Sequence, residues 1–254
     1  MTVGIYASGS SSANTITVSG NTVYSNSNYG IYGSMYTLIS GNVAHSHTQS
    51  GGIGIYGCDW AVVTGNRAFN NTNIGISIAG NTGYYRFPRA SGNIAYSNGT
   101  GILASAFIEL ANNICYANST SGITLADQIV STYRPSHIRN NTIHQPAGTG
   151  ILLLSDAKDV ALRNNIISAG GAHAIKVTSE ASTGAPARCH VLISDCVLES
   201  RVLWRHCGRH IPQQGDAVTA AGKDLRAVRR ESDRVEDRSL PADGADASAR
   251  GGIP

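Results

Sequence analysis

The sequence predicts an all-β protein that winds as a solenoid of parallel strands. Two observations support this prediction: an asparagine marks each of a series of repeats, and every marker is accompanied by short runs of alternating apolar residues. The markers are 20 to 28 residues apart and stand at Asn21, Asn42, Asn66, Asn93, Asn113, Asn141 and Asn165. A repeat of this length is typical of solenoids, in which each repeat buries its apolar face against its neighbours.

Each repeat is predicted to contain three strands and three turns. Apolar residues alternate with a period of two over three short runs, and Asn or Gly separates the runs. Equivalent strands of successive coils are expected to pair in parallel, about 4.8 Å apart. Stacked asparagines can bond to one another, so Asn113 and Asn118 are assigned to ladders at the turns. Gly122 is predicted to be a turn residue that permits positive φ.

Composition divides the chain at residue 198. Residues 1–198 hold nine Lys or Arg and seven Asp or Glu, whereas residues 199–254 hold ten basic and nine acidic residues and no Asn. We therefore predict a solenoid domain over 1–198 and a charged tail over 199–254, which is either a disordered segment or an out-of-frame product. The five cysteines contain no CxxC pair, which argues against a zinc site.

The repeat resembles a known family. The pattern Asn-x-aliphatic-x-x-Asn-x-x-x-Gly-Ile, seen at 21–31, 66–76 and 113–123, is similar to the repeat of pectate-lyase-like proteins, alginate epimerases, NosD-like proteins and phage tailspikes. The resemblance implies a single-stranded right-handed parallel β-helix of about seven to eight coils, with three short strands per coil. It also implies an extracellular or periplasmic location, and it leaves monomer or trimer open. Neither a signal peptide nor a capping element precedes the repeat, which suggests a fragment of a longer protein.

Charged side chains gather on the strand that precedes the marker. Arg89, Glu109 and His137 stand four residues before successive markers, and Arg139 and Arg163 stand two residues before theirs. Adjacent members are expected to lie one strand spacing apart on the same outer face. A surface salt-bridge ladder would explain this pattern without any function. The functional alternative is a catalytic group formed by Glu109, His137, Arg139 and Arg163.

Two insertions are predicted to form the walls of a groove on this face. The two longest steps between markers place residues 79–91 and 126–136 directly before the strand, on either side of the coil that carries Glu109. Aromatic and arginine side chains in such a groove suit a sugar chain that bears carboxylates. The predicted substrate-binding residues are Arg89, Tyr84, Tyr85, Arg86, Tyr133, Arg134 and Asp127.

These residues predict a lyase or epimerase of an acidic, uronate-containing polysaccharide. Such chemistry requires that the uronate carboxylate is neutralised and that a base removes the adjacent proton. Arg139 or Arg163 would neutralise the carboxylate, His137 or a groove tyrosine would transfer the proton, and Glu109 would orient His137 or Arg139. A hydrolase needs two carboxylates about 5–9.5 Å apart, and this face offers only Glu109 unless Asp127 joins it.

The alternative function is a non-catalytic carbohydrate-binding or structural module of a surface, periplasmic or phage protein, because the motifs of the related enzymes are missing. No cofactor is predicted to be required and no metal site is assigned, although Asp156 and Asp159 leave weak calcium binding possible. A nucleic acid is not an expected partner because there is no basic stripe, and no apolar run is long enough to predict a membrane span.

Two columns of aromatic rings are expected along the outer faces of the coils. They would either stabilise the sheets or contact sugar rings through their flat faces. The first column is Tyr24, His45, Phe69, Tyr96, Tyr116 and His144, and the second is Tyr6, Tyr32 and Tyr56.

Overall fold

The computed structural model describes residues 3–9, 11–79, 88–105, 108–126, 136–154, 160–178, 191–198, 202–204 and 219–220. All of them belong to one compact unit, Met1–Gly222. The predicted tail, apart from two short strands, lies outside the described residues, and its boundary at residue 198 stays a prediction. None of the described residues forms a helix with the length and apolar character that crossing a membrane requires.

The described part of the chain forms 26 strands of two to six residues. In chain order they are β1 Val3–Ala7, β2 Ile16–Ser19, β3 Thr22–Tyr24, β4 Tyr29–Gly33, β5 Thr37–Ser40, β6 Val43–His45, β7 Ile53–Gly57, β8 Val62–Thr64, β9 Arg67–Phe69, β10 Ile74–Ala79, β11 Arg89–Ser91, β12 Ile94–Tyr96, β13 Thr100–Ser105, β14 Glu109–Ala111, β15 Ile114–Tyr116, β16 Ser121–Ala126, β17 Ser136–Arg139, β18 Thr142–Gln145, β19 Thr149–Leu153, β20 Val160–Arg163, β21 Ile166–Ala169, β22 Ile175–Val177, β23 Val191–Ser194, β24 Val197–Leu198, β25 Val202–Trp204 and β26 Thr219–Ala220.

Strands that are three apart in this order pair with one another, nearly without exception, and form three sheets. Sheet 1 runs from β1 through β4 and β7 to β25, sheet 2 from β2 through β5 and β8 to β23, and sheet 3 from β3 through β6 and β9 to β24 and β26. Pairing is parallel throughout, as in Ile76 beside Ile102 and Ile102 beside Ile123. Parallel winding with three strands per coil is therefore confirmed. Within the described residues the sheets hold nine, eight and nine strands, slightly more than the predicted seven to eight coils, because β25 and β26 pair beyond residue 198.

The core is a stack of aliphatic side chains inside the coils. The isoleucine that follows the repeat's glycine is fully buried in every copy after the first, at Ile31, Ile55, Ile76, Ile102, Ile123, Ile151 and Ile175. Each of these lies beside its equivalent on the next coil, so the core is continuous along the solenoid. Burying one such side chain stabilises the fold by about 1.5–3 kcal/mol, which makes this stack the main reason that the coils stay together.

Asparagine ladders close the turns between the sheets. From Asn21 to Asn165 the Nδ2 group of each marker donates to Oδ1 of the next marker, over 2.9–3.1 Å. Asn113 also donates from Nδ2 to the carbonyl oxygen of Ala90, so its buried amide is satisfied on both sides. A second ladder joins Asn71, Asn98 and Asn118 in the same way. The assignment of Asn113 and Asn118 to ladders is confirmed.

The residue before each marker has left-handed backbone geometry. Its φ lies between 52° and 68° at Gly20, Gly41, Gly65, Gly92, Asn112, Asn140, Asn164 and Asp195. Gly, Asn and Asp adopt this conformation at the lowest cost, which explains why these residue types precede the marker.

The prediction that Gly122 is a turn residue permitting positive φ is wrong, because Gly122 lies in strand β16. Gly122 is not among the described residues with positive φ. A Cβ atom at this position would instead lie 2.5 Å from Cγ2 of Ile143 and 2.9 Å from Nε2 of Gln145, both on the next coil. Glycine is required here because the side chains of the next coil approach the backbone closely.

Candidate functional site

Sheet 2 brings the predicted catalytic side chains onto one outer face. Arg89 on β11 pairs in register with Glu109 on β14, which pairs with His137 on β17. Arg139 on β17 pairs with Arg163 on β20. The residues between them, Ala90, Leu110 and Ile138, are fully buried, so strand alternation turns the five polar side chains outward. The predicted stacking is confirmed, and we name these five residues the arginine face.

Two arginines bind the Glu109 carboxylate from adjacent coils. Arg89 forms an ion pair in which its Nε atom lies 2.8 Å from Oε2, and Arg139 donates from Nε to Oε1 over 3.1 Å. Arg139 contacts Oε1 through Nη2 as well. The Glu109 side chain is 20% exposed, whereas those of Arg89 and Arg139 are 59% and 46% exposed. Both carboxylate oxygens are thus engaged, and the guanidinium groups remain open to solvent.

The charges around Glu109 keep it ionised. Partial burial alone would raise the pKa of its carboxyl group, but the hydrogen bond from Arg139 and the charges of Arg89, Arg139 and His137 outweigh burial and lower that pKa below its usual value. Glu109 is therefore a hydrogen-bond acceptor at neutral pH. This state suits a residue that orients arginines and does not suit a proton donor.

The other two members of the arginine face are less constrained. Arg163 donates from Nε to Oγ of Ser194 over 3.3 Å and pairs with no carboxylate among the described residues. His137 is exposed, and no hydrogen bond joins it to Glu109. With three guanidinium groups and one carboxylate, the face has a surplus of positive charge when His137 is neutral. It is therefore chemically suited to an anionic ligand.

Ser194 is a member of this surface that the sequence pattern did not indicate. The last repeat has Cys196 where earlier repeats have the marker asparagine, and Nδ2 of Asn165 lies 3.7 Å from its Sγ atom. The last repeat therefore aligns through Cys196, and Asp195, which has left-handed φ, takes the place of the residue before the marker. This alignment puts Ser194 in the row of Arg139 and Arg163. The sequence signal for it is Ile193, which stands three residues before Cys196 as Leu162 stands three residues before Asn165.

The predicted walls of the groove lie outside the described residues. This applies to Tyr84, Tyr85, Arg86, Asp127, Tyr133 and Arg134, and also to the possible calcium ligands Asp156 and Asp159. The groove therefore stays a prediction. Across the segments that the structure does describe, no three side chains of His, Cys, Asp or Glu assemble into a group that could hold a metal ion.

The aromatic columns are stacked by their ring faces. Successive rings from Tyr24 to Tyr116 are 4.7–5.4 Å apart and within 14° of parallel. Tyr6, Tyr32 and Tyr56 stack similarly, at 5.3 and 4.8 Å. Since the faces contact one another, the rings present mainly their edges to solvent. This arrangement supports the role in stabilising the sheets and leaves little ring face for a sugar.

Comparison with known proteins agrees with this architecture. The family model described as "Right handed beta helix region" matches residues 1–133, just over half of the chain. The chain belongs to this family. The predicted right-handed parallel β-helix is therefore confirmed. The model described as "Periplasmic copper-binding protein (NosD)" matches residues 84–185 of this β-helix protein.

One solved structure is similar to the β-helix protein. It is the A-module of the mannuronan C-5 epimerase AlgE4 from Azotobacter vinelandii, with a TM-score of 0.57 and 21% sequence identity. The match covers 73% of this chain and 53% of that one, so the β-helix protein spans about half of the module. At this identity the likeness shows the fold alone. None of the curated proteins matches the chain. The NosD description mentions copper binding, but the described residues contain no group of three or more His, Cys, Asp or Glu side chains that could hold a metal ion.

Proposed function

We propose that this β-helix protein acts on an acidic polysaccharide at the arginine face, as a uronate lyase or epimerase. The observation that carries the proposal is the arrangement around Glu109: one ionised carboxylate fixes two arginines from adjacent coils, and a third arginine and an exposed histidine lie beside them. The surplus positive charge favours a polymer whose sugars bear carboxylates. The similarity to a module named as a mannuronan epimerase, which acts on a polysaccharide, supports the substrate class.

Each residue has a distinct role in the proposed reaction. Arg139 and Arg163 lie on neighbouring coils and would hold the uronate carboxylate by charge-assisted hydrogen bonds. This neutralisation would stabilise the anion that forms when the adjacent proton leaves. His137 stands beside Arg139 on the same strand, is open to solvent and would exchange that proton. Arg89 would bind a neighbouring sugar.

Glu109 would be a positioning residue. Oε1 accepts from Arg139, Oε2 is ion-paired with Arg89, and the lowered pKa of Glu109 makes it a weak base. Its contribution would be to hold Arg139 and Arg89 in place before the polymer arrives, so that less side-chain freedom is lost on binding. The description of the matching NosD family supports a periplasmic or otherwise extracellular location.

The test measures chemistry and binding together. The full chain, shown to be β-rich by circular dichroism, is incubated with alginate, polygalacturonate and glycosaminoglycans in deuterated buffer. A lyase produces unsaturated uronate ends that absorb ultraviolet light, and an epimerase incorporates deuterium at C5, which NMR detects. We expect either signal to fall at least about tenfold in Arg139→Ala, because a removed charge-assisted contact is worth roughly 1.5–3 kcal/mol.

Arg67→Ala is the matched control, because Arg67 is an exposed arginine on the outer face of sheet 3, where it lies over the ring of Phe69. It should leave the signal unchanged. If the protein retains the polymers without reacting with them, and Arg139→Ala abolishes that retention, the protein is instead a non-catalytic carbohydrate-binding module. Absence of both reaction and retention would overturn the proposal.

A further inference from the structure

One position in the second ladder is occupied by a histidine. Successive ladder positions are Asn26, His47, Asn71, Asn98 and Asn118, and each of the first four backbone N–H groups donates to the side chain of the next member. His47 is fully buried within this otherwise amide-based ladder. Its ring also accepts from the backbone of Asn26, which makes it one of the links between the first coil and the second, beside the Asn21–Asn42 bond and the strand pairs.

The ring of His47 makes only one of the two kinds of hydrogen bond that an asparagine makes at this position: it accepts from a backbone N–H group but does not donate to a carbonyl oxygen. Its Nδ1 atom lies 3.0 Å from the backbone nitrogen of Asn26, which must donate to it, so the neutral ring carries its proton on Nε2. An asparagine uses its Nδ2 group to reach a carbonyl oxygen, as Asn98 does to Ala68 over 3.1 Å. Nε2 of His47 is buried without any such partner. It lies against Gly30, where a Cβ atom would be 2.3 Å away.

Protonation of this ring removes the acceptor. With a proton on Nδ1, the Asn26 N–H group faces another donor, and only the more distant carbonyl oxygen of Asn26, at 3.3 Å, can accept from the ring. The buried Nε2–H group would then also carry positive charge without an acceptor, which is costly in the interior. We propose that His47 is an acid-sensitive joint, at which the turn that holds Asn26 loosens from the next coil when the pH falls. This inference is independent of the proposed catalytic site.

The surroundings of His47 favour the neutral ring. Asn26, Gly30, Gly52 and Asn71, which contact it, carry no charge. His45, on the adjoining strand, is the titratable group that acts on it, and its charge would oppose a second cation. Burial lowers the pKa of His47, the carbonyl oxygen of Asn26, which can accept from the charged ring, opposes this effect, and the charge of His45 lowers the pKa further.

The direction of the pH effect follows from proton linkage. An unfolded or detached coil binds a proton at His47 near the ordinary histidine pKa of about 6.5, whereas the intact joint resists the proton. The stabilising link is therefore complete above about pH 6.5 and weakens as the pH falls below that value. For a single proton, the equilibrium constant for opening rises by at most tenfold per pH unit.

Amide hydrogen exchange of the full chain tests the joint directly. The Asn26 amide bonds to the titrating ring, whereas the amides of Asn71 and Asn98 bond to carboxamide oxygens and serve as internal references. After correction for intrinsic exchange rates, we expect the protection of Asn26 relative to these references to fall by about tenfold or more between pH 7.5 and pH 5.

His47→Asn should remove this pH dependence, because an asparagine restores both the acceptor and the missing donor. His47→Gln is a second variant with the same expectation, since Gln145 accepts from Asn118 in the same ladder. The exposed His144, changed to Asn, should leave the pH dependence as in the wild type. The proposal is overturned if Asn26 tracks its references at every pH, or if both His47 variants keep the wild-type response.

Discussion

Glycine enters this repeat for two separate physical reasons. Gly92, before a marker asparagine, has φ of 62°, and an added Cβ atom there would meet the backbone nitrogen of Gly65 at 3.9 Å, an ordinary contact distance. Asn112 occupies the equivalent place one coil later with φ of 56°, so this position tolerates a residue that accepts left-handed geometry. Gly122 has ordinary φ but no space at all. Sequence cannot separate the two cases, because both are written as glycine beside a turn.

Substitution of Gly122 by alanine is therefore expected to destabilise the protein by about 1–3 kcal/mol, the cost of overpacking a filled site. The new methyl group would meet Ile143 and also the backbone oxygen of Gly150 at 2.9 Å, which cannot move freely. Gly51→Ala is the matched control, because nothing lies within 4 Å of its added Cβ atom. Its effect should stay within about 1 kcal/mol and favour the folded state. Chemical unfolding of the two variants measures both values, and equal losses would refute this account.

At the scale of the element, sheet 2 provides a rigid outer face on which charges from adjacent strands meet. Glu109 and its two arginines hold one another across three strands, and the arginines remain about half exposed. Exposed ion pairs contribute little to stability, because water and salt screen them. The arrangement therefore contributes more to the placement of the arginines than to the folding of the sheet.

Glu109→Gln is expected to lower the free energy of unfolding by less than about 1 kcal/mol at neutral pH. Because the pKa of Glu109 is lowered in the folded state, its contribution is present above the ordinary glutamate pKa of about 4.3 and is lost as the pH falls below that value. Wild type and variant should therefore converge in acid, and also at 1 M salt. Unfolding curves at pH 7 and pH 3 measure the difference, and a gap that persists in acid would contradict this assignment.

The arginine face was predictable from sequence because its residues stand at fixed distances from the markers. Once Asn93, Asn113 and Asn141 define the register, the neighbours of Glu109 follow by counting. The orientation of the rings did not follow in the same way. The spacing of Tyr96 and Tyr116 predicts a column, but only the structure shows that the ring planes are 3° apart and face each other. The loops that were predicted to form the groove vary in length and have no register to count from.

At the scale of the whole molecule, each coil contacts the coils before and after it. The ladders, the core and the sheets all repeat along one axis, so energetic effects are expected to be local along the solenoid. The fold was predictable from the sequence for the same reason: one turn geometry and one core pattern recur in every copy. The exception was the last coil, where Cys196 replaces the asparagine and the marker pattern does not continue.

Alanine substitutions at Asn66 and Asn141 should be additive in their effects on the free energy of unfolding. Each leaves buried groups unpaired, at a cost of about 1–3 kcal/mol for each group. The two sites are three coils, roughly 14 Å, apart, so the double variant should equal the sum of the single ones within about 0.5 kcal/mol.

Asn113 and Asn141 provide the contrasting pair, because Nδ2 of Asn113 donates to Oδ1 of Asn141 over 3.0 Å. Their double variant should lose about 0.5–3 kcal/mol less than the sum of the single losses, because the shared bond is counted only once. The three single and two double variants, unfolded chemically, provide the comparison. Additivity at the neighbouring pair would show that the ladder does not couple adjacent coils.

The direction of the asparagine ladder limits how a gene for this protein can change in length. Every marker offers an oxygen to the coil before it and an N–H group to the coil after it. A deletion of residues 94–113 would bring Asn93 against Asn141 with the same donor and acceptor arrangement. Duplications and deletions of one whole repeat therefore preserve the donor and acceptor order of the ladder at the new junction. Insertions in the loops also leave the ladder intact, as the spacings of 20 to 28 residues show, whereas a change of length between a marker and its strands would misplace its bonds.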